Sequence, residues 1–247
     1  MLTAVISGCV TSSPVLRSGG SSGPAVVALV SPPSTTKPFQ HVVASGIPRP
    51  EGRVITAKHV LRKFPKPHGV QCIGDRGDEK YVYEIGFPKI DEERHGEYAR
   101  DVGWIRTPCR FDHFDRLTST APPPGTRVWI SGYPGVVFAD IEFREGGPEI
   151  QPSVIEGVVA KSVAGMPVAA TGSVAVEIDD VWAADLNGFS GGPCAYRNDD
   201  HEWIVFGVAA VVRGDAHIEL FGMQTAVRIG PRKALLYVAP LPIEIID

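Results

Sequence analysis

Three short stretches carry residue types that could act together on a carbonyl. In "NGFSGGPC" (Asn187–Cys194), Ser190 stands between Gly188 and the pair Gly191-Gly192, so its hydroxyl has almost no neighbouring side chains. Such spacing serves a tight turn, where glycine supplies backbone angles that other residues resist. It equally serves a nucleophile, which needs open access and backbone N–H groups aimed at a reacting oxygen. A serine needs a base, and in "GRVITAKHVL" an apolar run ends at Thr56-Ala57 just before His59, a place where packing can fix an imidazole. In "ARDVGWIR", Asp101 heads another apolar run; a carboxylate entering a core must be hydrogen-bonded, and an imidazole N–H would serve. Of the other histidines, His41 sits in a strand-like run, His68, His95 and His113 lie in charged or proline-rich loops, and His201 follows "NDD". Their types and settings suit solvent exposure or local packing.

"TAKHV", "DVGWI" and "GFSGGP", in that order, resemble the three signatures of the chymotrypsin-like (trypsin-fold) serine peptidases, and "WISGYPG" (Trp129–Gly135) is similar to the bacterial branch. The spacings are 42 residues from His59 to Asp101 and 89 from Asp101 to Ser190. The resemblance covers roughly residues 24–235. It implies an all-β chain of two six-stranded antiparallel β-barrels that hydrolyses peptide bonds through an acyl-enzyme. Ser190 would be the nucleophile, His59 the general base and Asp101 its orienter, with the N–H groups of Gly188 and Ser190 as the oxyanion hole. By the same pattern the base of the specificity pocket falls at Ala184, followed by Asp185. The alanine favours a small or apolar substrate side chain, whereas an inward Asp185 would select a basic one. Ala210, Val211 and Val212, in "GVAAVV", would form another wall and an edge for a peptide, although valines in that setting equally suit ordinary β core. Two departures stand out. Phe189 occupies the position where many animal members carry an aspartate that pairs with a newly released N-terminus, so activation by that ion pair is not expected. Val60 replaces a common cysteine next to the base.

These residues need strands to hold them. Short runs rich in Val, Ile and aromatics recur between Pro, Gly, Asp and Asn, at Ala25–Val30, His41–Ala44, Arg53–Thr56, Tyr81–Ile85, Val102–Ile105, Arg127–Ser131, Val154–Val163, Ser173–Ile178, Trp203–Val212 and His217–Val227. With 27 Gly and 22 Pro the chain is rich in turns. Helical periodicity is weak; "TAKHVLRK" and "PRKALLYV" each suggest one short turn of helix. The segment "DRLTSTAPPPGT" (115–126), with three consecutive prolines, reads as a linker. It divides the chain into a flexible tail (1–23), a first barrel with His59 and Asp101 (24–114) and a second with Ser190 (127–247).

Hydrophobic content of 43% and charged content of 21% support a packed core. A net charge of −4 with no basic run gives no support to a nucleic-acid partner, and no apolar run approaches a membrane helix. Metal-ligand spacing such as H-E-x-x-H or C-x-x-C is absent, and neither metal nor organic cofactor is implied. Cys72 can pair with Cys109, or Cys194 with either. Ile6-Ser7-Gly8-Cys9 resembles a lipobox, which would attach the chain to a membrane through a lipid on Cys9 and imply export. Only eight residues precede Cys9 and none is Lys or Arg, so either the true start lies upstream or this is a plain unstructured terminus. "GFSGG" also satisfies G-x-S-x-G, the nucleophile elbow of α/β-hydrolases, but the 57 residues after Ser190 read as strands with little room for the elements that fold requires. The stronger rival to a peptidase is a trypsin-fold binding scaffold that has lost activity.

Overall fold

A computed structural model of the chain describes residues 5–7, 23–31, 41–62, 71–73, 84–107, 111, 113–133, 152–161, 166–179, 188–213, 217–220, 223–226 and 233–246. In the first half these form β1 (Val5–Ser7), β2 (Val27–Ser31), β3 (His41–Pro48), β4 (Arg53–Thr56), the short helix α1 (Lys58–Arg62), β5 (Gln71–Ile73), β6 (Glu84–Gly86) and β7 (Gly103–Arg106). They make one sheet in the order β5-β1-β2-β3-β4-β7-β6, antiparallel except where β1 meets β5. No pairing among the described residues closes it into a cylinder. Alternation in the strands places Val27, Leu29, Ala44, Val54 and Ile105 on one buried face, which α1 covers with Val60 and Leu61.

The second half contains β8 (Arg116–Leu117), β9 (Arg127–Gly132), β10 (Ser153–Val159), β11 (Val174–Asp179), β12 (Pro193–Arg197), β13 (Trp203–Arg213), β14 (His217–Leu220), β15 (Met223–Ala226), β16 (Lys233–Pro240) and a last helical turn α2 (Ile243–Ile246). Six of these strands close into an antiparallel barrel, in the order β9-β10-β11-β16-β13-β12 and back to β9. β14 and β15 pair as a separate hairpin. Val128, Ile130, Val176, Ile178, Phe206, Leu236 and Val238 fill the barrel. A third apolar cluster joins the halves: Ile47, Ile55 and Val102 from the first pack with Ala195, Val205, Val208, Leu241 and Ile245 from the second. The protein is thus all-β, one closed six-stranded barrel fused to a second sheet.

Several expected elements differ in detail. "PRKALLYV" contributes a strand, not a helical turn: β16 is paired on both edges, by β11 and β13, and its run Leu236–Ala239 is buried throughout, as a central strand demands. Val5–Ser7 pairs with both β2 and β5, so the expected tail is not free along its whole length. Its other end is also tied. Gly23 and Pro24 are buried, and the Ala25 N–H donates to Asp115 Oδ2 at 2.6 Å. The linker starts later than the sequence suggests, because Arg116 and Leu117 pair with Ile204 and Val205 in parallel while Leu117 enters the joining cluster. The three prolines themselves lie in a loop.

The Asp115 carboxylate is held above the usual range because burial outweighs its bond from the Ala25 N–H. A carboxyl raised on folding favours the native state fully below its unfolded value, and that contribution is lost as pH rises through the folded one. Asp115→Asn keeps a carbonyl acceptor for Ala25 and removes the titration. The variant should therefore gain stability relative to the parent between pH 3 and pH 7, measured by urea unfolding across that range; a constant difference would contradict this.

Candidate active site

Register brings His59 and Asp101 together. β4 and β7 pair antiparallel with Thr56 opposite Gly103, so the residues just beyond β4 face those just before β7. The Lys58 N–H donates to the Asp101 carbonyl at 3.2 Å, and the His59 N–H to Asp101 Oδ1 at 2.7 Å. His59 Nδ1 lies 2.5 Å from Asp101 Oδ2. Asp101 is 8% exposed, and the two donors from His59 supply the hydrogen bonds that such burial requires. A bond at Nδ1 fixes the ring's orientation and, in the neutral tautomer, leaves Nε2 as a proton acceptor. Gly103 makes the approach of α1 possible: a Cβ there would come within 2.8 Å of Leu61 Cδ1 and 3.0 Å of the Phe87 ring.

Ser190 arrives from the other half on a turn with two left-handed glycines, Gly188 at φ 92° and Gly191 at φ 83°. The turn is laced into the barrel, Gly191 N–H to Ala209 O at 2.8 Å and Ala209 N–H to Gly192 O at 2.9 Å. It rests directly on the first half. A Cβ on Gly191 would collide with Thr56 Oγ1 and approach Ser45 O at 2.5 Å and Ala57 N at 2.7 Å. That contact seats Ser190 against the end of β4, next to the residues that lead into His59. Gly192 is equally confined, by the Ser131 carbonyl. The glycines around Ser190 are therefore required by close backbone approach on one side and by turn geometry on the other.

Neither the Gly188 nor the Ser190 N–H donates to another described residue, which leaves both donors available. No hydrogen bond joins Ser190 Oγ to His59 among the described residues. Phe189 is buried in the barrel core, and a Cβ on Gly132 would meet its ring; an aromatic side chain thus fills the space beneath the turn. Cys194 is an unpaired thiol, fully buried and held well above the usual thiol range by desolvation. Cys109 and the side chain of Cys72 lie outside the described residues.

The specificity residues fare unevenly. Ala184 and Asp185 lie outside the described residues. Ala210 belongs to the joining cluster and is 6% exposed. Val211 and Val212 continue β13 opposite Tyr237 and Leu236 of β16, after a bulge between Ala209 and Val211. Sequence reasoning missed Ser45. It lies in the apolar run "VVASGIP", fully buried, and bonds to Gly188, Ser190, Tyr133 and Thr56. A lone serine inside an apolar strand was the available signal, since a buried hydroxyl must find partners.

The sequence matches no family model and no curated protein. Its structure is similar to that of neuropsin, a serine protease expressed in the limbic system of mouse brain, at 15% identity and TM-score 0.48, over 88% of this chain and 90% of that one. It is also similar to an HtrA-type protease solved with a tripeptide, at 14% identity and TM-score 0.47, over 90% of this chain and 58% of that one.

Gly191→Ala should destabilise the protein by about 2–4 kcal/mol, since it combines a left-handed backbone with overpacking against a neighbouring main chain. Chemical denaturation would measure it; a change below about 0.5 kcal/mol, the usual surface range, would show that the halves are not in close contact there.

Proposed function

We propose that the chain is a serine endopeptidase acting through an acyl-enzyme. The observation that carries this reading is the Asp101–His59 pair, with Nδ1 engaged and Nε2 left as acceptor, beside a turn that offers Ser190 and two unspent N–H groups. In the proposed reaction His59 Nε2 takes the Ser190 hydroxyl proton as Oγ attacks the peptide carbonyl. The electron pair moves to the carbonyl oxygen, where the Gly188 and Ser190 N–H groups stabilise it. The intermediate collapses, the C–N bond breaks, and His59 returns the proton to the leaving amine. Water then attacks the acyl group by the same route and frees Ser190. Asp101 holds the ring and stabilises the imidazolium, without being protonated itself.

A peptide is the proposed substrate because β13 has an edge to offer. Its β12 side is paired only as far as Val208 among the described residues, and Ala209 is bonded to the turn at Gly191 and Gly192. Residues 211–213 beyond it suit pairing with an added strand. A binding scaffold is the second reading, and the missing bond between Ser190 Oγ and His59 favours it.

A fluorophosphonate probe separates the two. Stoichiometric labelling of the folded protein at Ser190, abolished in Ser190→Ala, is expected for the peptidase, whereas an unlabelled folded protein at neutral pH identifies the scaffold.

A further inference from the structure

The turn that carries Ser190 is flexible by composition. Gly188 has no Cβ, so rotation of the peptides on either side of it meets little steric resistance. Two N–H groups can stabilise one oxygen only if both point at it, and freedom at Gly188 works against that. Something must hold the turn from outside.

The first half supplies that hold through one residue. The Ser45 hydroxyl donates to the Gly188 carbonyl at 2.7 Å, and the Ser45 N–H donates to the Ser190 carbonyl at 2.9 Å. The same hydroxyl accepts from the Tyr133 N–H at 2.9 Å, which ties it to the end of β9. Its own carbonyl accepts from Thr56 Oγ1 at 2.7 Å, at the end of the strand that leads to His59. Ser45 is fully buried, so water does not replace these partners easily. The residue therefore grips both donor residues of the turn, one by side chain and one by main chain, and refers them to the strand that precedes the imidazole.

We propose that Ser45 is a positioning residue, whose hydroxyl fixes the Gly188–Ser190 turn so that the two N–H groups converge on one point. The proposal deepens the hydrolytic reading of Ser190 and rests on it for its catalytic consequence. Ser45 does not touch the reacting atoms; it acts through the Gly188 carbonyl. An alanine keeps the main-chain bond to Ser190 and deletes the hydroxyl alone, which makes the side chain's part separable.

The test compares the full-length protein with Ser45→Ala and Ser45→Cys by amide hydrogen exchange and by turnover of a peptide anilide. In Ser45→Ala the Gly191 and Gly192 amides should exchange at least about tenfold faster, while β10, β11 and β16 keep their protection. In the same variant kcat should fall about 10- to 100-fold with KM within about twofold, the pattern of an interaction realised only in the transition state. Ser45→Cys, nearly the same size with a weak donor and acceptor, should lie between the two in both measurements. It also carries the comparison if the alanine variant does not fold. Unchanged exchange at Gly191 and Gly192, or faster exchange spread evenly over both sheets, overturns the proposal. A parent protein that turns over no peptide removes the hydrolytic reading, and the localised exchange change still decides whether Ser45 holds the turn.

Discussion

Two main chains from opposite halves of the molecule meet where Gly191 lies against Thr56, Ala57 and the Ser45 carbonyl. Such proximity is sterically open only to glycine, because any Cβ would occupy space already filled by backbone atoms. The contact sets the distance scale of the site. With it, a hydroxyl delivered by the second half lies beside the segment that delivers an imidazole from the first. Without it, the two groups would belong to separate sheets with no common frame. The apolar cluster around Val205, Val208, Ile47 and Ile55 supplies the adhesion, and the glycine contact supplies the precision.

The electrostatics follow from the same packing. Asp101 is buried because it opens a strand that enters the core, and the strand's register presents it with the His59 N–H and Nδ1 together. A carboxylate in that position would be costly if unpaired. Here two donors from one residue satisfy it, and the arrangement orients the ring as a by-product of satisfying the charge. The turn of Ser190 is held differently, by neutral hydrogen bonds through Ser45 and by the Phe189 ring below. One side of the site is organised by charge and the other by shape.

Much of this could be read from residue order. The run "RVIT" before His59 and the strand after Asp101 appear where alternation and turn residues put them, and the glycines about Ser190 have the steric role their spacing suggested. What escaped was long-range. β8 is two residues long and becomes a strand only through its pairing with Ile204 and Val205, which no local pattern encodes. β16 carries apolar residues on both faces, so its period is ambiguous until its two neighbours are known. Ala210, assigned to a pocket wall by its place in the chain, also lies in the cluster between the halves, at a bulge in β13 that no local pattern encodes. Ser45 is polar in an apolar stretch, and its four partners come from positions 11 to 145 residues away.

Phe189 gives the molecule one further property. Where a turn is propped by an ion pair, counterions and acid compete for the prop, and its strength varies with the medium. An aromatic ring embedded among Val128, Ile130 and Phe206 offers nothing for ions to screen or protons to titrate. The support beneath Ser190 is therefore indifferent to brine and to mild acidity, and it yields to the agents that dissolve greasy contacts.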